Sequence, residues 1–382
     1  MKRLTTVVAL GAVTALALTG CAKKSGGDTA ASSAGKATVR VLISGDTNVQ
    51  DLWTKGIVPG FEKANPNISV NIELDLHGEH DSQNLAKIAA AVKGNSDSGM
   101  DLIDGGFVVQ AAQAGLLVPA DRSMLSGLSD VSPDIIKAGG GGGIPYRGSS
   151  VLLAYNATKV ANPPQTLAAL LTWIKANKGQ FTYNSPKSGG SGGSFVTTVL
   201  DSFLSPAYQA TLRTTYDQTL EAKWDKGFAE LKSLNPYVYQ SGVYPNGNAQ
   251  VLQLLSAGSI SMAPVWSDQF ISGQKSGQIP ATIKATQIAD PSFTGGAAYL
   301  GIPKNSTNKD AALKLANYVL TPAAQNVIAT QIAGYPVIPL DKLPAQTQEI
   351  FKAAHPDTLR PAYFSQVNND MNKAWDDKVP GK

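Results

Sequence analysis

The chain has 382 residues, a formal charge of +4, 43% hydrophobic and 16% charged side chains, and a single cysteine. That length exceeds what one hydrophobic core fills and points to two lobes of about 150 residues each. The composition excludes a multi-span membrane protein. Setting Lys2 and Arg3 aside leaves a charge of 4 − 2 = +2, with no basic runs interleaved with aromatics, so no nucleic-acid footprint is present.

Residues 1–20 read as an export signal: Lys2-Arg3, an apolar run from Thr6 to Leu18, and small residues ahead of Cys21. Residues 21–37 are small, polar and aperiodic, which suits a flexible linker. With Cys21 the only cysteine, the folded part has no disulfide, catalytic thiol or cysteine metal site.

Thr38–Ser44 is the first expected strand, with Gly45-Asp46-Thr47-Asn48 as a turn into a helix. That helix carries Leu52, Trp53, Ile57 and Phe61, and Pro59 marks a break or a restart within it. Further on come a strand at Ile68–Leu76, an amphipathic helix at Leu85–Val92, and a strand at Asp101–Asp104 ending in Gly105-Gly106-Phe107. The glycine run 139–143 precedes Ile144–Asn156, an apolar stretch that reads as a strand crossing between lobes; Gly296–Pro303 is a second crossing. Between the crossings, Leu167–Lys178 is helical and Gln180–Tyr183 a strand. Ser185–Ser194, rich in glycine and serine, precedes a helix at Phe195–Leu200. Ala210–Tyr239 is helical with Trp224, Phe228 and Leu231 on one face. A helix at Val251–Leu255 stops near Gly258, and Ile260–Asp268 is a strand. Helices from Lys309 to Leu320, after Thr321-Pro322, and within Thr347–Asp377 close the chain. There is no internal repeat.

The fold class expected is α/β: two lobes, each a mixed or parallel sheet flanked by helices, joined by hinge strands. Several fragments, in order, carry a resemblance. Phe61-Glu62-Lys63-Ala64-Asn65-Pro66-Asn67-Ile68-Ser69-Val70, Ala111–Asp121 with its Gly115-Leu116-Leu117 exit, Asn162-Pro163-Pro164-Gln165-Thr166, Met262-Ala263-Pro264-Val265-Trp266-Ser267, Pro303–Ala312 and Thr321–Gln325 resemble bacterial extracellular solute-binding proteins of family 1 type, the maltose, thiamine and polyamine carriers of ABC importers. Leu167 stands where that family usually has tryptophan.

The resemblance implies a type II periplasmic-binding-protein fold, with 38–148 and 299–340 as lobe 1 and 149–298 and 341–382 as lobe 2. It also implies a monomeric carrier without a cofactor, partnered by an ABC permease and its ATPase. Leu18-Thr19-Gly20-Cys21 resembles a lipoprotein signal, which implies an acylated Cys21 tethering the protein to the outer face of the cytoplasmic membrane, or a periplasmic place where the host has an outer membrane.

Ligands of open α/β lobes bind beyond the carboxyl ends of strands. That rule selects Ser44, Asp46, Asn48, Asp104 and Phe107 in lobe 1, Tyr146, Tyr155 and Tyr299 on the crossings, and Ser191, Ser194, Tyr244, Trp266 and Asp268 in lobe 2. Trp266 suits stacking on a ring or a cation, or a place in the core. Asp46 and Asp268 suit pairing with a ligand ammonium, or capping their own turns. Arg147 is either a carboxylate clamp or an exposed hinge residue.

The mixed aromatic and acidic set favours an organic cation of thiamine or polyamine type. A sugar or oligosaccharide, or an anion held by backbone N–H groups at Ser188–Ser194, is the alternative in the same role. His77-Gly78-Glu79-His80-Asp81 gathers potential metal ligands but reads as a solvated loop, and Tyr237-Val238-Tyr239 has the wrong spacing for a ferric site. No nucleophile elbow, phosphate loop or zinc-protease helix occurs, so a surface hydrolase is the weaker alternative.

Overall fold

The computed structural model describes residues 36–351 and 360–380. Cys21, the signal segment and nearly all of the 21–37 linker lie outside the described residues. β1 (Ala37–Gly45) leads into α1 (Thr47–Asp51), a π-helical stretch at Leu52–Ile57 and α2 (Val58–Ala64). Next come β2 (Ile68–Leu76), α3 (Asp81–Lys93), β3 (Leu102–Asp104), α4 (Val108–Gln113), α5 (Pro133–Ala138) and the long β4 (Ile144–Asn156). Helices α6 (Leu167–Ala176), α7 (Gly190–Asp201), α8 (Pro206–Thr214), α9 (Asp225–Ser233) and α10 (Asn248–Ser256) follow. The chain continues through β5 (Met262–Trp266), α11 (Ser267–Lys275), β6 (Ile283–Thr286) and β7 (Gly295–Gly301), then α12 (Lys309–Val319), α13 (Pro322–Ile332), α14 (Ala345–Ile350) and α15 (Ser365–Lys378).

The strands run in the order β2-β1-β3-β7-β4-β5, with β6 beside β4. β1 is parallel to β2 and β3, as strand-helix-strand crossovers require. β7 then runs antiparallel to both β3 and β4. Two halves of β4 do different work: residues 144–150 pair with β7, and residues 151–156 lie between β5 and β6. β4 and β7 are thus a paired ribbon that carries the chain from one packed body to the other.

Each body has its own core. One gathers Val39, Val41, Ile43, Trp53, Phe61, Leu102, Tyr146, Leu300, Ile302, Leu315 and Ile328; the other gathers Val151, Leu153, Phe181, Phe195, Trp224, Phe228, Phe293, Met371 and Trp375. Smaller clusters flank them, around Ile103 and Phe107 and around Val251 and Phe270.

Pro59 marks a restart of the first helix and not a break. The preceding turn widens to π geometry, so that the Val58 N–H reaches back to Trp53 O, and Pro59 falls in the first turn of α2, where an absent N–H costs nothing. Gln331 of α13 donates to Asp51 O alongside. Gln180–Tyr183 is not a strand: only Phe181 forms a bridge, with Met262, because the Gln180 carbonyl takes both the Ser261 and Met262 N–H groups and pairing stops there. The helix expected from Leu85 begins four residues earlier, at Asp81, and the stretch 210–239 is divided into α8, a 3-10 segment at Gln218–Trp224 and α9. No helix among the described residues is long and apolar enough to cross a membrane.

Candidate functional site

β4 and β7 shift register between Pro145 and Arg147, leaving Tyr146 as the extra residue of a bulge. The bulge turns Tyr146 into the core of the first body, where its hydroxyl donates to Asp104 Oδ2 at 2.5 Å. Trp53 Nε1 donates to the same oxygen at 2.9 Å, and Gln325 caps the Tyr146 carbonyl. Arg147 Nε donates to the Tyr146 hydroxyl at 2.7 Å, and its Nη1 reaches Asp268 Oδ2 at 3.1 Å. Asp268 also accepts from Ser149 and from the Gln269 N–H of its own helix. A continuous polar chain therefore runs from β3 through the crossing strand to the end of β5, and Arg147 is a buried link in it rather than an exposed hinge residue.

Burial pushes the Asp104 carboxyl above its ordinary range, while the Arg147 charge and the Tyr146 and Trp53 donors pull the other way. Arg147 stays charged: its neighbours Tyr146, Asp268 and Asp104 outweigh the cost of burying it.

A second group spans the two bodies at the ends of β1 and β2. Asp46 accepts from the Asn248 amide of α10 at 2.8 Å, and its other oxygen lies 2.7 Å from His77 Nδ1. The hydrogen bond to Asp46, ahead of the cost of burial, raises the His77 pKa. His77 also abuts Gly247, where an added Cβ would stand 2.7 Å from Nε2. With φ at +90°, Gly247 occupies a conformation that other residues rarely adopt, and this is what lets the ring approach the backbone.

Asn248 in turn accepts from the Ser191 hydroxyl and N–H, and Asn184 accepts from the Gly192 N–H and the Ser191 hydroxyl. The first N–H groups of α7, read from sequence as free for an anion, are thus taken by two asparagine side chains.

Ser44 donates to Asp81, whose carboxyl lies beside Gly78 and Gly106. Burial raises Asp81 to about 7, opposed by the Ser44 hydroxyl and assisted by Asp75. The amide N and O of Asn48 are shielded from water without a hydrogen-bond partner. The edge of the Trp266 indole packs over Gly190, where a Cβ would stand 2.8 Å away, and the ring remains partly exposed.

Several expected residues point elsewhere. Phe107 is buried in the core beside Ile103 and Val108. Tyr155 packs on the core of the second body, eight residues past Arg147 along β4, about 26 Å at the rise of a strand. Tyr244 packs against Tyr183 and Trp375 with ring centroids at 4.9 Å, and its hydroxyl bonds Asn235. The Tyr299 hydroxyl donates to Ile135 O, and Ser194 accepts from the Thr294 N–H at the entry to β7.

Three residues that the strand-end rule passes over, His77, Asp81 and Asn248, are central here. The segment 77–81 is solvated only in part: Glu79 and His80 are exposed, whereas the His77 side chain is 12% exposed and Asp81 is tied to Ser44. His80 is paired with Asp75 at 2.9 Å. Tyr237 and Tyr239 face two different cores.

Residues 57–355 match the family described as bacterial extracellular solute-binding protein. The chain belongs to that family. A curated relative, Protein YnjB of Escherichia coli (strain K12), is 29% identical over 224 residues, which cover 57% of this chain and 56% of that protein's length. Among solved structures, the maltose-bound T. maritima MalE3 is similar with a TM-score of 0.69 at 16% identity, covering 90% of this solute-binding protein and 96% of that chain. The Atu4243-GABA receptor gives 0.65 at 20% identity, covering 88% and 96%. An ABC transporter solute-binding protein from Thermotoga lettingae TMO, bound with alpha-D-tagatose, gives 0.64 at 17% identity, covering 89% and 93%. The fold of this solute-binding protein is the type II periplasmic-binding-protein fold, and its family is one of binding proteins, not enzymes.

Proposed function

We propose that this solute-binding protein is the lipid-anchored capture component of an ABC importer, acylated at Cys21 on the cell envelope, closing as a monomer on a small organic cation and delivering it to a permease driven by an ATPase. Lobe 1 would comprise 38–148 and 299–340, lobe 2 149–298 and 341–382. Binding closes the lobes because the solute contacts both only when they are shut, and the size of the shift is set by its differential affinity for the closed form.

The observation that carries the choice of solute is the charge gathered at the strand ends. Carboxyls of Asp46, Asp81, Asp104 and Asp268 stand there with the Arg147 guanidinium and the His77 imidazole. Capture of an anion through α7 is disfavoured, since Asn184 and Asn248 already accept from its first N–H groups. In a thermal-shift screen at pH 7.5, by choice of buffer near neutrality, thiamine or putrescine raises the melting temperature and maltose does not. Stabilisation by maltose with none by either amine overturns the cationic reading.

A further inference from the structure

Resting on that reading of the solute, we propose that Asp81 is the residue that pairs with the solute's positive charge. The other three carboxyls at the strand ends already have partners. Asp46 has Asn248 and His77, Asp104 has Trp53 and Tyr146, and Asp268 has Arg147, Ser149 and a backbone N–H. Asp81 has the Ser44 hydroxyl, and among the described residues no ion pair ends on it. Its remaining neighbours are Asp75, a like charge that raises its pKa further, and glycine backbone. A Cβ on Gly106, itself exposed, would meet only Asp81 Oδ2 at 3.5 Å, and one on Gly78 would stand 3.0 Å from the same atom. The carboxyl therefore lies under backbone that offers no counter-charge, beside Ser44 near the end of β1 and beside Gly106 just past the end of β3. A buried carboxylate without a counter-ion is costly, and an arriving ammonium or heteroaromatic cation removes that cost. Asp81 stands in the first turn of α3, whose N-cap residue His80 makes no side-chain cap, and the helix N-terminus there favours the ionised form once a counter-ion is present.

Proton linkage follows from the same geometry. With burial holding Asp81 at about 7, the unliganded carboxyl is partly protonated near neutrality. Pairing with a cation drives it to the carboxylate, and the proton leaves to solvent: about half a proton per solute at pH 7. A neutral sugar provides no such exchange.

The test is calorimetric titration of thiamine and putrescine at pH 7, in phosphate and in Tris, with wild type, Asp81→Asn and, as an exposed control carboxyl at the start of α9, Asp225→Asn. Asparagine keeps the shape of Asp81 and its contact with Ser44. The expected result is proton release in wild type, a loss of at least tenfold in affinity with no proton release for Asp81→Asn, and retained proton release for Asp225→Asn. Asp81→Asn should also melt no lower than wild type at pH 8, which separates charge recognition from a purely structural role. Affinity within twofold of wild type for Asp81→Asn overturns the assignment while leaving the cationic reading in place. Absence of binding by any amine to wild type overturns the cationic reading itself. Should Asp81→Asn fail to fold, Ser44→Ala serves instead. Removing the hydroxyl that favours the carboxylate weakens binding at pH 7 and spares it at pH 9, and an equal loss at both pH values counts against Asp81.

Discussion

Burial works against Asp81 and Glu221 as it does against Asp104, and raises each of the first two to about 7. For Glu221 the first cause is desolvation, and the second is the facing carboxyl of Asp370. An acid whose folded pKa lies above its unfolded value stabilises the fold fully below the unfolded pKa and loses that contribution as pH rises through the folded one. The loss for Glu221 therefore falls between its ordinary value of 4.5 and about 7. Glu221→Gln removes it: the variant gains on wild type in urea melts at pH 8 relative to pH 4, and an equal difference at both pH values contradicts the pairing. None of this is written in the local sequence. Glu221 and Asp370 are 149 residues apart by number (370 − 221), and only the packing of the 3-10 segment against α15 brings them together. Asp104 and Asp268 were findable from strand ends, whereas Asp81, at a helix start, was not.

At the scale of the element, β4 carries most of the design. Its apolar pattern made it legible as a crossing strand, but the bulge at Tyr146 was not, because a register shift depends on the partner strand. The bulge sends Tyr146 to Asp104 and gives Arg147 an acceptor. Tyr146→Phe removes that hydroxyl, leaving Arg147 Nε without its acceptor and Asp104 Oδ2 without one of its two donors. A destabilisation of about 1–3 kcal/mol is expected in equilibrium urea unfolding, and a value near zero would show that the polar chain is not maintained in solution. The π-helical turn before Pro59 teaches a similar lesson. Proline correctly marked an irregularity, yet the backbone widened instead of breaking, since Leu52, Trp53 and Ile57 are buried in the core and hold the segment helical on both sides.

For the whole molecule, contact between Asp46 and Asn248 and between His77 and Gly247 joins the two bodies opposite the β4–β7 ribbon. Asn248→Asp sets a carboxylate against Asp46 and opens the bodies. A larger radius of gyration in small-angle scattering at pH 8 is expected, reversed by adding Asp46→Asn; an unchanged radius would mean that this contact does not hold the closed form. The fragments of family resemblance anticipated the α/β architecture because they sit on strands and helix entries that alternate in the chain, whereas contacts between bodies arise from loops with no period of their own. The ribbon has one more consequence. The first core draws on residues from Val39 to Tyr146 and again from Leu300 to Leu343, and the second on residues from Val151 to Phe293 and again from Tyr363 to Val379. A single cut anywhere between Val151 and Leu343 divides both cores, so a protease nick there leaves two pieces that each lack part of both, and a gene truncated at either crossing encodes neither core whole.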